Sequence, residues 1–103
     1  MYNQRETIHG FLLSNGSYTT LDVPSSTLTT AHGINTSGQI VGQYFDAGDD
    51  GHGYLLSDGS YTTLDVPGSI STGAHGINDS GQIVGSYVDA DNTTHGFLAT
   101  PVP

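Results

Sequence analysis

"AHGINTSGQIVG" at positions 31–42 and "AHGINDSGQIVG" at positions 74–85 are the same stretch written twice, with Thr36 in the first copy and Asp79 in the second. The match extends well beyond these residues, because 9–46 laid over 52–89 differs at nine of 38 positions. A further partial copy, "HGFLATPVP", begins at His95. The chain is therefore a tandem repeat with a period of 43 residues.

Composition narrows the class of protein. The 103 residues are enough for one domain, and there is no cysteine for a disulfide or a thiolate metal site. Arg5 is the only Lys or Arg, and the formal net charge is −9. This acidic balance argues against nucleic-acid and anionic-membrane partners, because binding to phosphate depends on Lys and Arg. Fifteen glycines and many Ser, Thr and Asn residues argue against helix.

Each repeat divides into four short strands, here lettered A to D. They are "AHGIN" (31–35), "QIVGQYFD" (39–46), "HGYLLS" (52–57) and "SYTTLDV" (60–66). A "TSG" turn joins A to B, "AGDDG" joins B to C, and a "DG" hairpin signal joins C to D. Segments 25–30 and 68–73, where the mismatches between copies cluster, are predicted to be loops. The pattern predicts a four-stranded antiparallel meander.

The apolar pattern indicates how the meanders are arranged. A strand with one face in water alternates apolar and polar residues, whereas "QIVGQYF" and "GYLLS" carry apolar side chains on both faces. Both faces of each small sheet must then be covered. The sequence predicts an all-β fold, namely a β-propeller built from four-stranded antiparallel blades of about 43 residues. A β-solenoid or a two-sheet sandwich is the alternative.

The order of the strands predicts self-association. In a single repeat domain spanning 1–103, residues 1–24 form a C–D hairpin, 31–67 a complete blade, and 74–103 the A–B–C strands of a split blade. Head-to-tail association between copies of the chain supplies the missing strands, and such a contact can close into a ring. With two blades per protomer, three protomers give six blades and four give eight. One strand is surplus, from either residues 1–14 or 95–103.

The strings "GINTSGQIVG", "HGYLLSDGSYTTLDVPG" and "AHGINDSGQIVG" resemble the HAF repeat of bacterial proteins described as probable extracellular repeat proteins. The resemblance covers roughly residues 9 to 98. Tyr54 stands where the repeat has Phe, and Ser25 replaces its final Gly. The resemblance implies a secreted, propeller-like array and supplies no catalytic residues. No basic-then-apolar leader follows Met1, so the compartment stays open on the sequence itself.

Several repeated side chains are candidates for binding a ligand. Sugar-binding grooves between blades combine an aromatic platform with polar groups, and the candidates here are Tyr44, Tyr87, Asn35, Asn78, Gln39, Gln82, His32 and His75. The last two can also point into a central channel. The amides have a structural alternative as turn residues. His9, His52 and His95 share one repeat position, which favours a structural bond to Asp22, Asp65 or a backbone carbonyl over catalysis.

Two turns, "DAGDDG" (46–51) and "DADNTT" (89–94), gather hard oxygen ligands that suit Ca²⁺. The candidate metal ligands are Asp46, Asp49, Asp50, Asp89 and Asp91. Asp, Asn and Gly also occur in turns for backbone reasons alone. No other cofactor is expected.

No nucleophile constellation or phosphate-binding loop is present in the sequence. The sequence therefore predicts a non-catalytic repeat module. Its function is predicted to be multivalent binding, most readily of glycan, by an oligomeric propeller. The alternative is a structural or protein-interaction array with no small-molecule ligand.

Overall fold

The chain consists of β-strands joined by short turns. The computed structural model describes residues 8–101, and within them there are nine strands and no helix, so none that could cross a membrane. The strands are β1 Gly10–Ser14, β2 Ser17–Leu21, β3 Leu28–Ile34, β4 Ile40–Phe45, β5 Gly51–Ser57, β6 Ser60–Leu64, β7 Ser71–Ile77, β8 Ile83–Val88 and β9 Thr94–Ala99. The predicted all-β class is confirmed. Residues 1–7 and 102–103 of the predicted outer segments lie outside the described residues.

The strands pair as two antiparallel meanders and one hairpin. Strands β1 and β2 form a separate two-stranded sheet, the N-terminal hairpin. Strands β3 to β6 form the middle meander and β7 to β9 the last meander, each antiparallel throughout. One parallel pair, Gly51 with Ser71, joins the two meanders into a curled seven-stranded sheet. The bridge between Ile8 and Leu28 is the same contact one repeat earlier.

The hairpin turns follow the sequence closely. Asn15 and Gly16 have φ values of 52° and 82°, and Asp58 and Gly59 have the same values. Two consecutive positive φ angles are what a two-residue hairpin turn of type I′ requires, and Asn-Gly and Asp-Gly adopt them most readily. Hairpins therefore form at both turns that the sequence predicts, as β1–β2 in the N-terminal hairpin and as β5–β6 in the middle meander.

The prediction of loops at 25–30 and 68–73 is wrong in part, because strands β3 and β7 begin at Leu28 and Ser71. Two threonines, shared by the copies despite the mismatches around them, hold these segments. Thr29 is buried, and its hydroxyl oxygen accepts a 3.2 Å hydrogen bond from the Val23 amide. Thr72 does the same for Val66. A buried hydroxyl needs a partner, and these hydrogen bonds join the first residues of β3 and β7 to the chain six residues before them.

The apolar side chains pack in two clusters, one between the hairpin and the middle meander and one between the middle and last meanders. Leu21 and Val23 from the hairpin side pack with Ile40 and Tyr54 of the middle meander, and this contact is called the first seam. Val41 of the middle meander packs with Ala74 and Ile83 of the last meander, and this contact is called the second seam. Ile40 and Val41 are adjacent in β4 and point in opposite directions. The middle meander is thus apolar on both faces, as the sequence predicts.

The two meanders approach most closely at their first strands, β3 and β7. A Cβ atom placed on Gly33 would lie 3.1 Å from the Cα of Gly76, so only glycine fits at Gly33 without displacing the neighbouring backbone. Beside this contact, Asn35 Nδ2 donates to the carbonyl of Asn78 at 3.0 Å. The Thr36 amide donates to Asp79 Oδ1 at 2.9 Å. The one difference between residues 31–42 and their copy at 74–85 therefore lies at the contact between the two copies.

Candidate functional site

The most elaborate polar cluster of the described residues surrounds His52, at the start of β5. His52 Nδ1 lies 2.9 Å from Asp65 Oδ2, and Nε2 lies 3.0 Å from Asp46 Oδ2. The ring stacks on Tyr44, its cross-strand neighbour in β4, with centroids 4.9 Å apart. The Tyr44 hydroxyl in turn bonds to Thr63 Oγ1 at 2.8 Å. Three strands and two turns thus fix the imidazole in one orientation.

The electrostatics of this cluster favour a charged imidazole. Two ionised carboxylates accept but do not donate, so both ring nitrogens are satisfied only when each carries a proton. Burial acts to lower the pKa of His52, but the hydrogen bonds to Asp46 and Asp65 outweigh it and raise the pKa above its ordinary value. The His52 hydrogen bond, followed by the Asp50 amide, lowers the pKa of Asp46. The two carboxylates on either side of the ring therefore favour the protonated form of His52.

Partial versions of the cluster occur in the other repeats. His95 Nε2 lies 2.8 Å from Asp89 Oδ2 and its ring lies 5.0 Å from that of Tyr87. His9 Nδ1 lies 2.6 Å from Asp22 Oδ1. Among residues 8–101, each of these histidines has one carboxylate partner where His52 has two. The predicted bonds from His9 to Asp22 and from His52 to Asp65 are confirmed.

A groove of about 390 Å³ lies next to the His52 cluster. Its polar wall consists of Asp50, His52 and Asp65, and its apolar wall includes Pro67 and the exposed side chain of Ile70. Carboxylate and imidazole groups can bond to hydroxyl groups of a ligand, while the apolar wall can contact the C–H face of a ring. The groove is open and shallow, which suits a small, weakly bound polar ligand.

The predicted pairing of tyrosine with amide side chains is not formed within one sheet. Tyr44 pairs with Thr29 near the start of β3, whereas Asn35 and Gln39 lie beyond the other end of that strand. Tyr87 and the Asn78–Gln82 pair are separated in the same way in the last meander. Residues in β4 between Gln39 and Tyr44 rise about 3.3 Å each, so side chains five positions apart cannot share a sugar-sized site.

The amides serve the turns. Asn35 Oδ1 accepts from the Gln39 amide at 2.9 Å, and Asn35 Nδ2 donates to Gln39 Oε1 at 2.8 Å. Asn78 and Gln82 repeat both bonds at 2.9 Å. The structural alternative for these four residues, as ordered turns between the first two strands of a meander, is therefore what the geometry supports.

His32 and His75 lie side by side on the first strands, with ring centroids 5.5 Å apart. His32 Nε2 lies 2.9 Å from Thr30 Oγ1, and His75 Nε2 lies 3.2 Å from Ser86 Oγ. Burial, then the proximity of His75, lowers the pKa of His32. Both side chains remain exposed, so they form an accessible pair of imidazole rings where the two meanders converge.

The acidic turns use their carboxylates internally. Asp46 Oδ1 accepts from the amides of Gly48 at 2.9 Å and Asp50 at 3.1 Å. Asp89 Oδ1 accepts from Asp91 and Thr93 in the same way. Asp49 has a positive φ of 66°, as the turn requires. Within residues 8–101, no group of three or more side chains is placed to hold a metal ion, so the predicted Ca²⁺ ligands are not gathered into a site.

One contact of the candidate site was not predicted, namely the hydrogen bond between Asp46 and His52. Its signal is present in the sequence, because Asp and His recur six residues apart across the same turn as Asp89 and His95. A carboxylate at the end of one strand and an imidazole at the start of the next face each other across a tight antiparallel turn. The spacing, read with the strand assignment, was enough to find this contact.

No protein-family model, curated protein or solved structure matches this chain. The resemblance to the HAF repeat therefore stays a prediction from the quoted strings.

Proposed function

We propose that the chain is a non-catalytic repeat module whose copies associate into a β-propeller ring. The observation that carries this proposal is that the middle meander is covered on both faces while the last meander repeats its residues and is covered on one. The curled, helix-free sheet is compatible with a propeller. A unit that is apolar on both faces needs a neighbour on each side, as repeat proteins generally do.

We further propose that the ring binds glycans multivalently through grooves of the kind beside His52. A ring of equivalent grooves turns weak single-site binding into useful avidity. The polar wall of Asp50, His52 and Asp65 supplies hydrogen-bond partners for hydroxyl groups, and the apolar wall supplies contact area. Tyr44 contributes indirectly by fixing the His52 ring.

Titration of the native protein with simple sugars at millimolar concentration, followed by NMR, tests the glycan assignment. The expected result is a set of saturable shifts confined to the groove residues, including the Ser69 and Ile70 amides. An Ile70→Glu variant removes part of the apolar wall at an exposed position and weakens these shifts. Glycan-array and NMR titrations that both show no binding contradict this part of the proposal.

A structural or protein-interaction array is the second candidate, and one observation favours it. The cluster side chains already have partners within the chain, and among the described residues no buried side-chain polar atom lacks one. On this reading the histidine clusters fasten strands together and the grooves stay empty. Capture of a defined saccharide in the grooves would exclude it.

A further inference from the structure

The last meander has a bare face that the middle meander shows how to cover. Val84 and Leu98 are 51% and 61% exposed, although their counterparts one repeat earlier, Val41 and Leu55, are fully buried and half-buried. Within residues 8–101 nothing lies on this forward face, the face toward the next repeat. Gly76, Asn78 and Gln82 line the same surface. The corresponding surface of the middle meander is the one that packs in the second seam.

The middle meander has a complementary gap on its rear face, toward the preceding repeat. The N-terminal hairpin contributes third and fourth strands to that side, but no first and second strands within the described residues. The gap is a groove of about 270 Å³ bounded by the hairpin and by β3, including Ala31, Gly33 and Ile34. Its counterparts one repeat later, Ala74 and Gly76 among them, lie under β3 and β4 in the second seam. The gap therefore has the form of two missing strands.

A third open place lies where the last meander has no fourth strand. A groove of about 340 Å³ is lined by Leu64, Val66, Phe97 and other apolar side chains. Leu64 and Val66 are half-buried, whereas their counterparts in the first seam, Leu21 and Val23, are buried. There the fourth strand of the middle meander supplies Tyr61, which packs on the seam. The matching residue of the hairpin, Tyr18, is 72% exposed.

The histidine clusters are divided along the same line. The last meander carries Asp89 and His95, which correspond to Asp46 and His52 of the complete cluster. The carboxylate that corresponds to Asp65 is Asp22, and it stands at the end of the hairpin. A second copy placed to fill the three open places brings its Asp22 to the position next to His95.

We propose that copies of this chain dock head to tail so that the last meander of one and the hairpin of the next form a joint meander, whose seam repeats the second seam. Strand β2 of the second copy provides the fourth strand of the joint meander. Its Tyr18 covers Leu64 and Val66 of the first copy. Its Asp22 completes the cluster around Asp89 of the first copy. Val84 and Gly76 of the first copy fill the gap over Ala31 and Gly33 of the second. This inference rests on the proposed ring and specifies which surfaces build it.

Two strands compete for the third position of the joint meander, namely β9 of the first copy and β1 of the second. Leu98 and Leu12 are the same repeat position on these strands, so one strand must yield. The proposal does not depend on the outcome, since β2 and Asp22 occupy the same place in either case. Deletion of residues 94–103 removes β9, and deletion of residues 1–14 removes β1. The deletion that keeps the assembled mass identifies the surplus strand.

Gly76 offers a selective test. Its Cβ would meet only a methyl group of Val84, at 3.4 Å, within the single chain. In the joint seam it would point at Gly33 of the next copy, as Gly33 now points at Gly76 at 3.1 Å. We expect Gly76→Val to leave the circular dichroism spectrum unchanged and to reduce the mass, by light scattering, from a multiple of 10.7 kDa to that of one chain.

Three further variants protect this test from ambiguity. Tyr18→Ser alters a side chain that the single chain leaves exposed, and we expect it to reduce assembly as well. Gly48→Ala, in the turn before β5 and away from all three open places, is the matched control that keeps the wild-type mass. Gly76→Ala is the milder form should valine disturb β7.

The outcomes separate the docking surfaces from the proposed function. A wild-type chain that is folded and monomeric overturns both the ring and the docking surfaces. A wild-type assembly that survives Gly76→Val and Tyr18→Ser overturns the docking surfaces and leaves the ring standing. Sugar binding is measured separately, so its absence bears on the glycan assignment alone.

Discussion

Val41 and Val84 occupy the same repeat position, each between isoleucine and glycine on the second strand of a meander. Val41 is inaccessible to solvent and Val84 is 51% exposed. The local sequence and the strand pairing are alike, so the difference comes from what lies on the forward face. The burial of this side chain is therefore set by the neighbouring repeat. The middle and last meanders have similar sequences and strand pairing but different neighbours.

Removing the hairpin gives the largest expected effect on this comparison. Deletion of residues 1–24 uncovers the rear face of the middle meander and takes away the source of fourth strands for a second copy. We expect loss of the assembled mass, measured by light scattering. A truncated chain that keeps the wild-type mass would show that the hairpin does not join the copies.

Tyr54 and Phe11 compare the same position with and without a covering sheet. Tyr54 is fully buried, its hydroxyl donates to the Thr30 carbonyl at 2.9 Å, and burial raises its pKa to about 12. We expect Tyr54→Ala to lower the free energy of unfolding by about 3–5 kcal/mol, as for other large aromatic truncations. Phe11→Ala, at an exposed position, should change it by less than about 0.5 kcal/mol in the single chain. Urea unfolding of both variants measures the difference, and equal losses would contradict it.

Val41→Ala and Val84→Ala test whether this repeat position is buried in the middle meander and exposed in the last. Deleting buried methyl groups leaves a cavity, so Val41→Ala should lower the free energy of unfolding by about 2 kcal/mol. Val84→Ala should change it by less than about 0.5 kcal/mol in the single chain while weakening self-association. Unfolding curves and concentration-dependent mass together separate the two effects. A large loss of single-chain stability at Val84 would mean that its face is covered from within the chain.

Ser25 and Gly68 compare two residues at one backbone position. Ser25 has a φ of 68° and Gly68 a φ of 81°, so both adopt the left-handed conformation that glycine tolerates best. We expect Ser25→Gly to raise the free energy of unfolding by about 1 kcal/mol and Gly68→Ser to lower it by a similar amount. Thermal unfolding of both variants gives the signs, and the same sign for both would refute this explanation.

The smallest expected effect is a dependence on pH from the His52 cluster. The raised pKa of His52 means that its contribution is full below the ordinary value of 6.5 and is lost as pH rises through the folded pKa. The lowered pKa of Asp46 adds stability above its ordinary value of 3.8, which is lost as pH falls. Because the cluster is partly accessible to solvent, which screens its charges, the decline from pH 6 to 8 should be smaller than the changes expected at Ser25 and Gly68.

Asp65→Asn sharpens the pH prediction by removing one of the two anions beside His52. We expect a smaller decline in stability between pH 6 and 8, measured by urea unfolding at a series of pH values. The matched variant Asp58→Asn, in the hairpin turn, should retain the wild-type decline. A decline that Asp65→Asn leaves unchanged would place its origin elsewhere.

Much of the fold could be predicted from the sequence because the same strand and turn pattern occurs in both copies of the repeat. The Asn-Gly and Asp-Gly turns, the order of strands in the middle meander and the apolar residues on both of its faces follow from local rules. The bond from His52 to Asp65 could be predicted as well, since it links positions that recur together. These features depend on neighbours along the chain or on one adjacent strand.

The errors arose where a three-dimensional contact decided the outcome. The mismatched residues near Leu28 resemble a loop in sequence, yet β3 begins at Leu28 and the next residue, Thr29, is buried. Tyr44 and Asn35 belong to one repeat but lie at opposite ends of the strands, because an antiparallel pair separates its turn from its open end. Composition indicates which residues can bind a ligand, and the register determines whether they meet.

The hydrogen bond from the Thr36 amide to Asp79 has a consequence for how the chain avoids misfolding. Nearly identical segments can exchange places while folding, since a strand from one copy satisfies the pairing of the other. After such an exchange Asp79 would face Thr36 from the wrong side, and an amide would meet a hydroxyl instead of a carboxylate. Charged acceptors form the stronger bond. The Asp79 carboxylate, which the first copy lacks at Thr36, therefore favours the observed order of the two copies.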